Sequence, residues 1–350
     1  MKLIHIADLH LGRCFNTNDH NYNHLRREEL FETFENVLRY GRDKGIYHVL
    51  ISGDFYEDDT CTYKEIKRIV SIIEMYAEIN IYIIAGNHDP LNEQSWYTRI
   101  TWPENVNILI DENDKAIVEN IEIYGLSWRQ KLWKNEKIFE FDLDNSKTNI
   151  LMLHGDIKDL KSDYFAIDVE KYLNLGFDYL ALGHIHKPEI QNKYSYPGSL
   201  EPMKFANNEK HGMVVLDAND EAIKVEFVEF AKRNFNTIEL IVDRDEKIDQ
   251  IEENCRKMMN DIGSREDIYR IRFKGVLKST CAETIKGNLE KYFYKVEFEN
   301  KAIGVTEILD CDNPIFEKVQ KELSKETYSP EMKKRIEEIV LTALIKTGRA

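Results

Sequence analysis

The 350-residue sequence predicts an α/β fold with a smaller α/β unit and helices at the end. Three observations predict it. Short apolar runs rich in Ile, Val and Leu end abruptly in polar residues, as strands buried on both faces do. Amphipathic helical stripes lie between the first three runs. After about Phe230 a second, shorter strand and helix alternation begins.

The elements follow in chain order. The run 2–7 ends in Asp8 and His10. Leu30, Phe31, Phe34, Val37 and Leu38 then recur at helical spacing. The run 49–53 ends in Asp54, and Ile66, Ile69, Val70 and Ile73 make the next helical stripe. The run 81–86 ends in Asn87 and His88, 150–153 in His154, and 179–183 in His184 and His186. Such alternation implies right-handed crossovers and at least partly parallel pairing. It gathers the polar residues at the carboxyl ends of strands, where open α/β sheets bind ligands.

Further on, 238–242 reads as a strand, Ile248, Ile251, Cys255 and Met258 as a helix stripe, and 269–273 as a strand. A helix near 282–292 and a strand near 294–298 complete this unit. No His follows His211, so packing or substrate shaping is its expected task. Ile315, Phe316, Val319 and Leu323 form one terminal stripe. Ser329-Pro330 starts another, with Met332, Ile336, Ile339, Val340 and Leu344. These helices pack either on the second unit or on a partner's helices. The expected divisions are 1–230, 231–305 and 306–350.

Composition narrows the class. No apolar run approaches the ~18 residues of a membrane span. Cys14, Cys61, Cys255, Cys281 and Cys311 are scattered without C-x-x-C pairing. That speaks for a reducing compartment and against a disulfide framework or a zinc-thiolate site. The opening "MKLIHIADLHLG" lacks a signal-peptide layout, so a cytoplasmic protein without membrane partners is expected. The net charge of −15 argues against a simple basic DNA-binding module. It leaves a metal enzyme open, because bound cations offset acids locally.

Five strand ends supply Asp8, His10, Asp54, Asn87, His88, His154, His184 and His186. A lone His at a strand end is usually a hydrogen-bonded core residue, but a buried cluster of such groups without a ligand would be costly. Imidazole and carboxylate without thiolate suit manganese, iron or zinc. In an extended segment, residues two apart point the same way, so Asp8 with His10 and His184 with His186 can each address one site. With Asp54, Asn87 and His154 they make seven ligands, which suggests two ions. Such a pair suits phosphoryl chemistry.

In this order, "DLH", "GD", "GNHD", a single "HG" and "GHIH" resemble the signature of the calcineurin-like metallophosphoesterases. Within that superfamily the chain resembles the SbcD/Mre-type DNA-repair exonuclease subunits, through "IHIADLHLGR" and "YPGSLEPMKF". The resemblance covers roughly residues 1–230. It implies a two-sheet α/β sandwich with a smaller α/β cap and C-terminal helices. It implies that Asp8, His10, Asp54 and His186 hold one metal, and Asp54, Asn87, His154 and His184 the other, with Asp54 bridging. His88 would face the scissile phosphate instead of binding metal. Glu57 stands where the family often has an Asp, or in some relatives a His. We expect Glu57 to hydrogen-bond His88 and fix its tautomer, with Asp58 and Asp59 as solvated turn acids.

The resemblance further implies a two-metal DNA phosphodiesterase, an exonuclease or also an endonuclease, in a double-strand-break repair complex. It would act by in-line attack of a metal-bridging hydroxide. Manganese is the expected metal, with iron or zinc as alternatives. The expected partners are DNA, an SbcC/Rad-type coiled-coil ATPase and a second copy of the chain. Two other readings stand beside it. One is a phosphatase or a nucleotide phosphodiesterase, which the acidic charge favours. The other is mainly a docking subunit for the ATPase. Among the remaining histidines, His5 is expected in the core and His48 at the surface. His20 and His24, with Arg13, Arg26 or Arg27, either touch substrate backbone or sit in a solvated loop. Asp89 is a candidate supporting residue, and His211 has no expected role.

Overall fold

A computed structural model describes residues 1–133, 139–158, 164–205, 209–219, 223–242, 246–275, 279–300 and 314–346. The chain divides into two compact units. One is Met1–Met203 with Glu209–Lys232, and the other is Lys204–Asn208 with Arg233–Ala350.

The first unit alternates as the apolar runs predict. It contains β1 (Lys2–Ile6), α1 (His20–Lys44), β2 (His48–Ser52), α2 (Tyr63–Glu74), β3 (Asn80–Ile84), α3 (Trp96–Arg99) and β4 (Val106–Ile108). Then come β5 (Lys115–Val118), β6 (Ile121–Gly125), β7 (Thr148–His154), α4 (Val169–Asn174) and β8 (Tyr179–Gly183). The last four strands are β9 (Glu189–Ile190), β10 (Tyr194–Tyr196), β11 (Gly212–Ala218) and β12 (Ile223–Glu229). Local chemistry sets the helix ends. Asp19 accepts the Tyr22 amide at the start of α1, and Gly45 closes it at φ 69°. Thr62 and Glu65 form a reciprocal capping box on α2.

Two six-stranded sheets result, ordered β12-β11-β1-β2-β3-β4 and β5-β6-β7-β8-β10-β9. The run β1 to β4 is parallel, and so is β6 to β8. Side-chain alternation explains the continuous apolar runs. Leu3, Leu50, Ile84, Ile150, Met152 and Ala181 fill the space between the sheets. Their neighbours Ile4, Val49, Ile51 and Ile83 point outward onto Phe31, Phe34, Ile66 and Ile69 of α1 and α2. Leu151, Leu153, Leu180 and Leu182 pack on the far side with Tyr172 of α4.

The second unit holds β13 (Phe235–Val242), α5 (Ile248–Ile262), β14 (Ile268–Gly275), α6 (Ser279–Leu289) and β15 (Lys295–Asn300). Its three strands are parallel. One face carries a core of Ile238, Ile271, Phe273 and Val296 under Ile251, Cys255, Met259, Ile285 and Leu289. The other face bears ion pairs, Arg270 with Glu297 and Arg272 with Glu299. The terminal stripes are α7 (Pro314–Lys325) and α8 (Pro330–Lys346), which pack on each other. Leu323 is buried, while Ile315, Met332 and Ile339 are exposed. The expected division near residue 305, Cys311, and the side chains of Cys281, Phe316 and Leu344 lie outside the described residues. No helix among the described residues is long and apolar enough to cross a membrane.

Candidate metal centre

The donor residues stand where parallel strands end. β1, β2 and β3 are neighbours in one sheet, and β7 and β8 in the other. Their carboxyl ends release Asp8, Asp54, Asn87, His154 and His184. The β1–β2 pairing continues past the strands: the Asp8 amide donates to the Gly53 carbonyl at 3.2 Å and the His10 amide to the Asp54 carbonyl at 2.9 Å. The pairs do not converge by strand alternation, as the extended-segment argument expected. Asp8, His10, Asp54 and His184 all sit at positive φ, at 54°, 49°, 52° and 100°. Left-handed turns aim them instead, and such strain in non-glycine residues gathers at functional sites.

Glycines beside the donors make room. A Cβ on Gly53 would lie 2.3 Å from His154 Nδ1, and one on Gly86 would lie 2.3 Å from Asp54 Oδ1. Asp89 fixes the same loops from beneath. Its buried carboxylate accepts from the amides of Gly86, Asp54 and Phe55 at 2.6, 3.1 and 2.7 Å, and from the Tyr97 hydroxyl at 2.6 Å. Burial, then the Asp54 charge, push its pKa up to about 6.

The donor atoms meet. His10 Nε2 and His186 Nε2 are 3.0 Å apart. Asp54 Oδ2 is 3.4 Å from His154 Nε2 and 3.7 Å from His10 Nε2. Asp8 Oδ1 is 3.8 Å from His186 Nε2. Asn87 Oδ1 is 3.1 Å from both His154 Nε2 and His184 Nδ1. Asp8, His10 and His186 form one group that could hold an ion, and Asp8, Asp54 and His154 a second. His154 Nδ1 donates to the Ser52 carbonyl at 2.9 Å, which turns its Nε2 toward the cluster. Two imidazole nitrogens facing each other beside two buried carboxylates fit a shared cation.

Electrostatics agrees. Burial pushes the Asp8 carboxyl up to about 6. Burial also opposes charge on Asp54, but His154, His10 and His88 outweigh it and hold Asp54 below the usual carboxylate range. Burial lowers His154, yet the Asp54 carboxylate beside it carries the imidazole up to about 9. Burial, reinforced by neighbouring histidines, lowers His184 to about 4 and His186 to about 3. Both therefore offer neutral lone pairs near neutral pH.

His88 differs from these donors. Its side chain is 42% exposed, and its amide donates to Asp54 Oδ1 at 2.9 Å. Its Nδ1 lies 2.9 Å from Glu57 Oε2. The sequence did not disclose two other contacts of Glu57. Its Oε1 lies 2.9 Å from His10 Nδ1 and accepts from Arg13 Nη1 at 3.0 Å. His10, Glu57 and His88 also cluster closely enough for an ion, but the Arg13 guanidinium already supplies a cation there. Asp58 is half-buried, and Asp59 is exposed and pairs with Lys131.

The remaining candidates separate. His5 is buried against Ser52. His48 is half-buried, with its Nδ1 3.2 Å from the Tyr82 hydroxyl. His20 and His24 are exposed. Arg26 cannot face substrate, because it is fully buried between Glu29 and Glu201. Arg27 pairs with Glu65. His211 Nδ1 lies 2.9 Å from the carbonyl of Ser199, whose amide holds the His186 carbonyl at 3.0 Å. The "YPGSLEPMKF" stretch thus braces a donor loop. Trp128, which sequence reasoning missed, donates from Nε1 to the His154 carbonyl at 2.7 Å. Its position just past β6, in "GLSWRQ", was the available signal.

Residues 1–188 match the family model described as calcineurin-like phosphoesterase. The chain is 26% identical to the uncharacterized metallophosphoesterase YhaO of Bacillus subtilis over 65% of its own length and 60% of that protein. It is 29% identical to the DNA double-strand break repair protein Mre11 of Archaeoglobus fulgidus, over 57% of this chain and 50% of that one. It is 26% identical to the SbcD component of the SbcCD nuclease of Staphylococcus epidermidis, over 65% of this chain and 69% of that one. The chain thus spans between half and about two thirds of the length of these relatives.

Proposed function

The chain belongs to the calcineurin-like phosphoesterase family, and from that premise we propose that it is a two-metal phosphodiesterase acting on DNA. The observation that carries this reading is the convergence of seven donor residues at five strand ends, with the exposed His88 beside them. We assign Asp8, His10, Asp54 and His186 to one ion. Asp54, Asn87, His154 and His184 take the other, with Asp54 shared. Oxygen and imidazole donors without thiolate suit manganese, with iron or zinc as alternatives. When bound, such ions supply Lewis-acid activation of water and neutralise phosphoryl charge.

The chain's own residues do the rest. Asp89 and the strand-end turns preset the donors. Glu57 accepts from His88 Nδ1, so Nε2 is free to donate to the leaving oxygen or to a phosphate oxygen. The Glu57 hydrogen bond raises the His88 pKa against burial, which keeps that proton available. DNA as substrate rests on the relatives named for double-strand break repair and for a nuclease. A homodimer working with an SbcC/Rad-type coiled-coil ATPase belongs to the same proposal. So does a docking segment over residues 306–350, which the exposed Ile315, Met332 and Ile339 support.

The net charge of −15 favours a second reading, a phosphodiesterase or phosphatase for small substrates, which need no basic track. One comparison separates them: manganese-dependent cleavage of end-labelled duplex and single-stranded DNA against hydrolysis of a nucleotide phosphomonoester. DNA cleavage is expected. Phosphomonoester hydrolysis alone would favour the second reading.

A further inference from the structure

Arg13 leaves the first donor loop from a fixed backbone. Its amide donates to the His10 carbonyl at 3.0 Å. The preceding Leu11 exchanges hydrogen bonds with Phe55 and Glu57, and the Gly12 carbonyl accepts the Thr60 hydroxyl at 2.8 Å. The side chain therefore starts from a point locked to the loop that carries Asp54 and Glu57.

At its far end the guanidinium makes one hydrogen bond among the described residues, from Nη1 to Glu57 Oε1 at 3.0 Å. A guanidinium carries five N–H donors. The neighbouring arginines are used up differently. Arg26 is fully buried on two glutamates, and Arg27 spends Nε and Nη2 on Glu65. Arg13 keeps donors unspent and its side chain is 34% exposed. Glu57 holds Arg13 on one carboxylate oxygen and His88 on the other, so the guanidinium stands one carboxylate away from the proposed acid.

A fixed cation next to an exposed imidazole, with unused planar donors and solvent access, is the arrangement that binds pairs of phosphate oxygens. It also places one local positive charge where an acidic chain would otherwise repel a phosphodiester. We propose that Arg13 contacts the substrate phosphate: its spare N–H groups bind non-bridging oxygens while Nη1 stays on Glu57. The proposal rests on the phosphodiesterase reading of this site. Glu57 then has a double task, holding His88 on one oxygen and Arg13 on the other, so that both face the same phosphate.

The test is calorimetric titration of inorganic phosphate into the manganese-loaded full chain, comparing wild type with R13M and R13K. Hydrolysis of bis(p-nitrophenyl) phosphate is measured in parallel. Loss of a charge-assisted contact should weaken phosphate binding by about tenfold or more in R13M. R13K keeps the charge but loses the fork, so it should fall between the two. Manganese content should match wild type in both variants, and R13K decides the matter if R13M fails to fold. Equal phosphate affinity in wild type and the folded variants would overturn the assignment. So would a wild type that binds no phosphate. If wild type binds phosphate yet hydrolyses no phosphodiester, the enzymatic reading fails while the binding comparison still decides the role of Arg13.

Discussion

Glu57 Oε2 accepts a hydrogen bond from His88 Nδ1 at 2.9 Å, from a loop fixed to the backbone of Leu11. The same carboxylate lies 2.9 Å from His10 Nδ1, so it addresses one exposed and one buried imidazole. Replacing it with Gln keeps the shape and removes the charge. E57Q should lower turnover by about ten- to a hundredfold, the usual cost of losing an orienting carboxylate. Manganese stoichiometry at saturation should stay unchanged. Steady-state kinetics with metal analysis checks this, and unaltered turnover refutes the role.

Asp89 holds the loops of Asp54 and Asn87 through four donors. D89N puts an amide N–H against backbone N–H groups. Near pH 8, where the carboxyl is ionised, it should destabilise the first unit by about 1.5–3 kcal/mol. All four tryptophans, Trp96, Trp102, Trp128 and Trp133, lie in that unit. Urea unfolding followed by tryptophan fluorescence therefore reads it directly. A midpoint equal to wild type would show that these hydrogen bonds contribute little.

Gly86 leaves space that Asp54 occupies. Because an added Cβ would sit 2.3 Å from Asp54 Oδ1, G86A should displace that carboxylate and abolish manganese retention. Gel filtration followed by metal analysis measures it. Full metal content in G86A would mean that Asp54 is not a ligand in this position.

Metal binding should release protons. Without a cation, burial opposes charge on His154 but Asp54 outweighs it, and the imidazole stays protonated up to about pH 9. A metal takes the Nε2 lone pair and expels that proton. Apparent manganese affinity should therefore rise with pH from neutrality and level off above about 9. Calorimetry at one pH in buffers of different ionisation enthalpy counts the protons, and buffer-independent heats would contradict the assignment.

Removing residues 312–350 separates docking from folding. The truncated chain should keep manganese-dependent hydrolysis and lose any binding to the coiled-coil ATPase proposed as its partner. Loss of hydrolysis together with tryptophan-detected unfolding would mean that α7 and α8 stabilise the first unit.

The site was legible in the sequence because parallel strands buried on both faces leave continuous apolar runs. The abrupt polar ends of β1, β2, β3, β7 and β8 therefore marked the candidate donors. β9 and β10, of two and three residues, carry too little pattern to be seen. The left-handed turns at Asp8, His10 and Asp54 left no signal either, since only a non-glycine residue stands there. Arg26 looked available because its partner Glu201 lies 175 residues away. The contact between Glu57 and His10 was hidden for the same reason: loop packing, not spacing, brings them together.

The proposed activity depends on a two-ion centre built from Asp8, His10, Asp54, Asn87, His154, His184 and His186. Its most direct test is metal analysis of the manganese-reconstituted chain beside D54N, with cleavage of end-labelled DNA followed in the same samples. Wild type should hold two manganese ions per chain and release nucleotides, and D54N should lose both. A reconstituted wild type that holds no metal, or a D54N chain that keeps two ions, would contradict it.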